Sequence, residues 1–179
     1  MKYLVVIDFQ NDFITGSLAN KEAAKLVSPM ADMIRNFDGQ VILTMDVHNL
    51  NYMNTQEGKI LPIEHCITEQ GILPPEEIIE AVQSRNEDDT TAIEKHTFGT
   101  LDWQSFSISP DDEIYICGLC TDICVITNAL ILKTLFPETE IRVIEDLCAG
   151  TSVENHNAAL NVMFACQVRG IKMCAMEEV

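Results

Sequence analysis

The stretch Tyr3-Leu4-Val5-Val6-Ile7-Asp8 is the clearest structural signal in the chain, because five apolar residues end directly in a charged one. A short continuous apolar run rich in β-branched residues is typical of a parallel strand that is buried on both faces of a sheet. Similar runs recur along the chain. The predicted strands are Tyr3–Ile7, Gln40–Met45, Thr91–Glu94, Glu113–Cys117 and Glu140–Ile144, with a weaker run at Ile171–Cys174.

Helical periodicity fills most of the intervals between these strands. Strands that alternate with helices indicate βαβ units, right-handed crossovers and a parallel sheet covered on both faces. We therefore predict one α/β domain over residues 1–179. It is three-layered (α/β/α) and Rossmann-like, with a doubly wound, mostly parallel six-stranded sheet. The predicted helices lie at about Lys21–Phe37, Pro75–Gln83, Asp122–Phe136 and Ser152–Arg169, and Val47–Leu73 is irregular.

Composition and charge restrict the partners. With 28 acidic and 11 basic residues the net charge is −17, which repels phosphate polyanions and so excludes nucleic acid and anionic membranes. No apolar run approaches the roughly 20 residues that a bilayer span needs, and Asp8 interrupts the first apolar stretch, so it does not read as a signal peptide. Seven scattered cysteines indicate reduced thiols rather than a disulfide framework. We expect a cytoplasmic protein that acts on a small molecule.

Four predicted strands end in chemically active side chains. Asp8 follows the first strand, Asp46 and then His48 follow the second, and Lys95 follows the third. The fourth strand runs into a segment that contains Cys124. Ligands bind beyond the carboxyl ends of the strands in open α/β sheets, near the point where the strand order reverses. The sequence therefore predicts that these groups meet at one rim.

Cys124 is the candidate nucleophile. Thr121 is a suitable N-cap for the following helix, which puts Asp122 at its first position and Cys124 at its third. Backbone amides and the helix dipole favour a thiolate there, and the same amides can hold an oxyanion. Asp8 is the natural proton acceptor, and Lys95 can pair with its buried charge. The alternatives are a cysteine that only packs against the sheet and ordinary strand-end charges in solvent.

Asp46, His48 and His65 form a second candidate cluster. Alternate residues of a strand point to the same side, so Asp46 and His48 share a direction. His65 lies in the irregular segment, with Glu57 and Glu64 close by in the sequence. Two imidazoles and one or two carboxylates suit a divalent ion such as zinc, iron or manganese. The alternative is that these loop residues only bond to the backbone.

Two other features carry less functional weight. Cys117 and Cys120 have the spacing of a redox dithiol, but Cys117 lies inside an apolar strand rather than at a helix start. We interpret it as a core residue. No partners can be assigned from the sequence to His96 or His156, and we place His156 at an ordinary polar position of the last helix.

These motifs resemble those of the isochorismatase-like cysteine hydrolases, and within them the nicotinamidase branch. Asp8-Phe9-Gln10-Asn11-Asp12-Phe13 resembles the strand-end motif of the family, and Gly118-Leu119-Cys120-Thr121-Asp122-Ile123-Cys124-Val125 resembles its nucleophile motif. Glu94-Lys95-His96-Thr97-Phe98-Gly99 resembles its lysine motif. Order and spacing agree from about Lys2 to Cys174.

The resemblance implies roles for particular residues. It implies that Asp8, Lys95 and Cys124 are catalytic. It also implies a cis peptide bond between Leu119 and Cys120, which would aim the amides of Cys120 and Cys124 at the oxyanion.

The resemblance further implies a divalent metal that contacts the pyridine nitrogen of the substrate. Zinc is the first expectation for this metal, ahead of iron and manganese. Its implied ligands are Asp46, His48, Glu57 and His65.

One segment departs from the family pattern. Many relatives have an aromatic residue and two prolines before the second metal histidine, whereas this chain reads Leu61-Pro62-Ile63-Glu64-His65. One ring expected to stack on the substrate is therefore absent. Phe13, Phe98 or Trp103 can supply an apolar wall instead, although core packing is the alternative for each.

The predicted function is hydrolysis of nicotinamide to nicotinate and ammonia. One alternative is a related cysteine hydrolase that acts on another small amide, a carbamoyl group or a vinyl ether. A second is a catalytically silent protein that binds a small molecule, and a third is a thiol redox protein. The resemblance also implies that the chain can form a homo-oligomer.

Overall fold

The computed structural model describes residues 1–178, and its centre is a sheet of six parallel strands. The strand order is β3-β2-β1-β4-β5-β6, so the order reverses between β1 and β4. This arrangement confirms the predicted α/β fold. The strands are β1 (Lys2–Ile7), β2 (Gln40–Asp46), β3 (Thr90–Lys95), β4 (Glu113–Leu119), β5 (Glu140–Ala149) and β6 (Arg169–Ile171).

Helices cover both sides of the sheet. Among them, α3 packs against α6, and α7 packs against α8. The helices are α1 (Asn11–Ile14), α2 (Lys21–Ala24), α3 (Val27–Asn36), α4 (Gln56–Ile60), α5 (Glu69–Ile72), α6 (Glu76–Gln83), α7 (Ile126–Leu135) and α8 (Val153–Ala165). Short 3-10 helices lie at Tyr52–Asn54, Glu87–Asp89, Asp102–Ser105 and Met173–Glu178, and a π-helical turn spans Thr121–Val125.

Three predicted boundaries need correction. The helix predicted over Lys21–Phe37 is interrupted between α2 and α3. The last helix ends before Arg169, because Gln167 adopts a φ of 68° that ends helical geometry. The weak strand predicted at Ile171–Cys174 lies earlier, at Arg169–Ile171, and a 3-10 helix follows it.

The middle of the sheet is packed too closely for side chains at one point. Gly118 has a φ of 116°, and a Cβ atom there would lie 2.1 Å from the carbonyl oxygen of Ile7. Only glycine allows β4 to approach β1 this closely. The register between β4 and β5 also shifts between Ile116 and Gly118. This local distortion directly precedes the segment that carries Cys124.

Residues 1–178 contain no helix with enough length and apolar character to cross a bilayer.

Candidate active site

Asp8, Lys95 and Cys124 meet at the carboxyl edge of the sheet, as the sequence predicts. Asp8 follows β1, Lys95 ends β3, and Cys124 lies in the π-helical turn after β4. All three side chains are buried. Strand β1 separates β2 from β4, and the strand order reverses beside it. The crevice at this reversal is where parallel sheets bind ligands.

The Lys95 ammonium is the centre of this group. Its Nζ lies 2.7 Å from Asp8 Oδ2 and 3.7 Å from Cys124 Sγ. It also lies 3.2 Å from Asp46 Oδ1 and donates a hydrogen bond to the carbonyl of Thr97 at 3.0 Å. One buried cation therefore compensates two buried carboxylates, which are costly without a partner.

The environment of the group raises the pKa of the sulfur. Burial raises the pKa of the Cys124 thiol well above its usual value, the Asp8 carboxylate raises it further, and Lys95 opposes this only in part. Burial also raises the pKa of Asp8 against the attraction of Lys95. Burial alone lowers the pKa of Lys95, but the surrounding negative groups outweigh it and the pKa is raised. This shift opposes the preference for a thiolate that the predicted helix start gives Cys124, and it agrees with the expectation that a base takes the proton of the thiol.

The start of the turn that carries Cys124 (Thr121–Val125) also differs from the prediction. Thr121 is not the N-cap, because the π-helical turn begins with it and Cys120 precedes the turn. Instead the Thr121 hydroxyl pairs with Nδ1 of His156 at 2.8 Å, so the half-buried His156 tethers α8 to this turn. The Asp122 carboxylate accepts the backbone N–H of Thr151 at 2.8 Å. The Leu119–Cys120 peptide bond is cis, as the resemblance implies.

Asp46, His48 and His65 converge beside this group. Nε2 of His48 lies 3.0 Å and Nε2 of His65 lies 3.6 Å from Asp46 Oδ2. Their potential ligand atoms all lie within 4.8 Å of one another. Glu57 Oε1 lies further out, 3.7 Å from His48 Nε2 and 3.8 Å from His65 Nε2, so Glu57 faces the cluster from the first turn of α4.

The donor atoms of this cluster fit a divalent metal. His65 Nδ1 donates to the carbonyl of Ile63 at 2.9 Å, and this hydrogen bond turns Nε2 toward the cluster. Nε2 of His48 is buried without a well-aligned hydrogen bond, although the Asp46 carboxylate is close. Two imidazole nitrogens and a carboxylate oxygen around one point are typical of zinc and iron centres.

Tyr52 packs against both histidines and was not among the site residues predicted from the sequence. Its buried ring lies 4.7 Å from the ring of His48 and 5.0 Å from that of His65, measured between centroids. The ring of Phe13 lies 5.6 Å from His65 on another side. Tyr52 is the only aromatic residue of the segment predicted as irregular (Val47–Leu73), which is the one signal that could have identified it.

A cavity of about 600 Å³ opens onto both groups. Phe13 and Phe98 line it, as predicted, but Trp103 does not. Trp103 is fully buried, and its Nε1 donates to Asn128 at 3.0 Å, so this part of the prediction is wrong. The lining residues are Phe13, Leu18, Ala19, Asn20, Lys21, Asp46, Glu57, Leu61, His65, Phe98, Cys120, Ile123, Cys124 and Thr151.

Cys117 and Cys120 face different surroundings. Cys117 is buried, and its sulfur contacts the carbonyl of Val5 at 3.7 Å and the sulfur of Met30 at 3.5 Å. Cys120 instead lines the cavity. Both are free thiols, and burial raises the pKa of each. The interpretation of Cys117 as a core residue agrees with this placement.

These features define a class of protein before any comparison. A buried cysteine, an aspartate and a lysine at the rim of a doubly wound sheet form the constellation of a hydrolase with a cysteine nucleophile. The adjacent candidate metal centre further restricts this class to hydrolases that have a metal site beside the cysteine.

Comparison with known proteins supports this class. A model of the isochorismatase domain matches residues 2–173. The nicotinamidase of Saccharomyces cerevisiae is 23% identical in an alignment 198 positions long, which spans 79% of this chain and 85% of that protein.

Solved structures show the same fold. The pyrazinamidase of Pyrococcus horikoshii, determined in complex with zinc, matches with a TM-score of 0.79 at 22% identity, over 96% of this chain and 99% of that one. The N-carbamoylsarcosine amidase of Thermoplasma acidophilum matches with a TM-score of 0.73 at 26% identity, over 96% and 95% of the two chains. The chain belongs to the isochorismatase domain family, because the family model covers nearly all of it.

Proposed function

We propose that this protein is a metal-assisted amide hydrolase that converts nicotinamide to nicotinate and ammonia. The observation that carries the proposal is the meeting of Asp8, Lys95 and Cys124 beside the cluster of Asp46, His48 and His65, on one cavity. The names of the yeast and Pyrococcus relatives, a nicotinamidase and a pyrazinamidase, support a heteroaromatic carboxamide as substrate.

The first half of the proposed reaction forms a thioester. Asp8 accepts the proton of the Cys124 thiol as the sulfur attacks the carboxamide carbon, so an S–C bond forms and the carbonyl becomes an oxyanion. The raised pKa of Asp8 suits this role, because a weakly acidic carboxyl both accepts and returns a proton. Asp8 then gives the proton to the nitrogen, the C–N bond breaks, and ammonia leaves.

The second half releases the acid. Asp8 accepts a proton from a water molecule that attacks the thioester carbon. The S–C bond then breaks, and the proton returns to the sulfur of Cys124, so that the carboxylic acid leaves and the enzyme is restored. Lys95 stays protonated throughout, because its pKa is raised above that of free lysine by the groups around it. It stabilises the charge of Asp8 in every step in which that carboxylate is ionised.

Two parts of the site support this chemistry. The peptide amides of Cys120 and Cys124, after the cis Leu119–Cys120 bond, are the proposed oxyanion donors. Asp46, His48 and His65 are the residues that would hold a divalent metal, with Glu57 as the remaining ligand, and the ion would supply a Lewis acid for the heteroaromatic nitrogen of the substrate.

A second candidate is hydrolysis of a carbamoyl or other small amide substrate on the same residues. The observation that favours it is Leu61, which lines the cavity just before the segment of His65, where the family pattern has an aromatic residue. A leucine wall offers less stacking to a planar ring. The similarity in fold to an N-carbamoylsarcosine amidase also supports this candidate.

Ammonia release distinguishes the two candidates. The purified protein is assayed with nicotinamide, pyrazinamide, benzamide and an N-carbamoyl amino acid, each with and without a metal chelator. We expect nicotinamide to have the highest kcat/KM and the chelator to lower it. Preference for the carbamoyl substrate would establish the second candidate. Absence of ammonia from every substrate, with zinc bound, would reject amide hydrolysis.

A further inference from the structure

Gln10 belongs to the strand-end motif but has no role in the proposed reaction. Its side chain is fully buried two residues after Asp8. Its amide nitrogen donates to the carbonyl of Asp46 at 2.9 Å, and its amide oxygen accepts the N–H of Asp46 at 2.8 Å. Both polar ends of one side chain thus bind the main chain of a single residue, the proposed metal ligand at the end of β2.

Asp12 makes a second connection from the same motif. Its Oδ2 accepts the backbone N–H of Cys66 at 2.7 Å, and the carbonyl of Cys66 accepts the N–H of His48 at 2.9 Å. Cys66 has a φ of 49° and directly follows His65. A Cβ atom on Gly71 would lie 2.2 Å from Asp12 Oδ2, so this glycine leaves room for the carboxylate.

We infer that Gln10 and Asp12 are positioning residues of the metal centre, a role that rests on the metal site of the proposed function. The ligands come from two separate places, the end of β2 and the segment around His65, and these must be held at a fixed separation. Gln10 holds the first and Asp12 holds the second. Both belong to the segment that begins at Asp8. The same short stretch of chain therefore carries the proposed base and holds the backbone of the proposed metal ligands in place.

The test measures metal affinity rather than catalysis. Gln10→Met removes both hydrogen bonds to Asp46 at similar side-chain size. Zinc affinity is measured by competition with a chromophoric chelator, at a temperature where circular dichroism shows each variant folded. We expect the Kd for zinc to rise about 10- to 100-fold. The matched control is Gln40→Met, because Gln40 also bonds a backbone carbonyl, that of Asp88, at the opposite end of β2. The control is expected to bind zinc like the wild type.

A second pair of variants tests the other connection and serves if Gln10→Met does not fold. Asp12→Ala removes the acceptor for the N–H of Cys66, whereas Asp12→Asn retains an oxygen for it. We expect weakened zinc binding in Asp12→Ala and recovery in Asp12→Asn. The visible spectrum of bound Co²⁺, which reports ligand geometry, is expected to change in Asp12→Ala and Gln10→Met alone. A loss of thermal stability with unchanged Kd and spectrum would assign these residues a structural role only and overturn the inference.

The result is separable from that of the ammonia assay. A wild type that binds zinc but hydrolyses no amide, with the Kd raised in Gln10→Met, rejects the proposed function and supports the inference. Full amide hydrolysis, with equal zinc affinity in the wild type, Gln10→Met and Asp12→Ala, supports the proposed function and overturns the inference. A wild type that binds no divalent ion overturns the inference directly.

Discussion

The group of Asp8, Lys95 and Cys124 and the cluster of Asp46, His48 and His65 share one cavity but are built differently. The first group lies at strand ends and at the turn after β4, and the packed sheet fixes it. The cluster takes only Asp46 from a strand, and its histidines lie in the segment between β2 and α5. A site at strand ends is positioned by core packing, whereas a site in a loop depends on individual hydrogen bonds and ring contacts.

Asp46 joins the two regions. Its Oδ1 faces Lys95 at 3.2 Å and its Oδ2 faces His48 at 3.0 Å. Burial alone raises the pKa of Asp46, but His48 and Lys95 outweigh it and the pKa is lowered. The carboxylate of Asp46 therefore interacts with both regions at once.

The largest expected effect is that of Cys124→Ala. Removal of the nucleophile eliminates the thioester route, so we expect ammonia release to fall at least about 10⁴-fold. Zinc content is expected to stay unchanged, because the loop-borne cluster does not use the sulfur. Cys166→Ala is the control, since Cys166 is exposed. If the folded Cys124→Ala variant retained the wild-type rate, the proposed mechanism would be rejected.

Lys95→Met is expected to have the next largest effect. It leaves the buried carboxylates of Asp8 and Asp46 without their cation, and breaking a buried ion pair costs about 3–5 kcal/mol of unfolding free energy. We expect that loss in denaturant unfolding, together with a fall in kcat of about 10²- to 10⁴-fold. The control is the exposed Lys59→Met. Equal stability of the two variants would contradict the central position of Lys95.

His65→Ala tests the other region. We expect it to weaken zinc binding by at least about tenfold and to lower kcat/KM for nicotinamide, while the thiol still reacts with an alkylating reagent. Glu57→Gln is the comparison, because its carboxylate lies outside the tight cluster of three, and its loss of zinc affinity is expected to be smaller. The reverse order of affinities would make Glu57 a principal ligand.

The smallest expected effect is a displacement of the acid limb of the pH profile. Activity requires ionised Asp8, so kcat/KM falls as pH decreases through its pKa, which lies above the usual 3.8. Lys95 attracts the carboxylate and lowers that pKa, so the residual activity of Lys95→Met is expected to fall at a pH higher by about one unit or more. Lys59→Met should keep the wild-type limb. An unshifted limb in Lys95→Met would assign it to another group.

The difference between residues placed by strand ends and those placed by contacts from distant segments explains which predictions were correct. The strand-end residues were predictable because parallel strands bring their carboxyl ends to one edge, whatever the intervening chain does. The start of the turn that carries Cys124 was not predictable, since the Thr121 hydroxyl pairs with His156 from a distant helix rather than with its own turn. Trp103 is apolar and lies close to the lysine motif in sequence, and only the fold shows that its ring belongs to the core.

The sheet, its carboxyl edge and the residue types placed there could be predicted from the sequence, because side-chain periodicity and strand ends are local properties. Only the folded chain brings about the raised pKa of the Cys124 thiol, the packing of Tyr52 against the two histidines and the hydrogen bond from Gln10 to the main chain of Asp46. Each of these depends on burial or on a contact between residues far apart in the chain, and neither property is encoded in any single stretch of sequence.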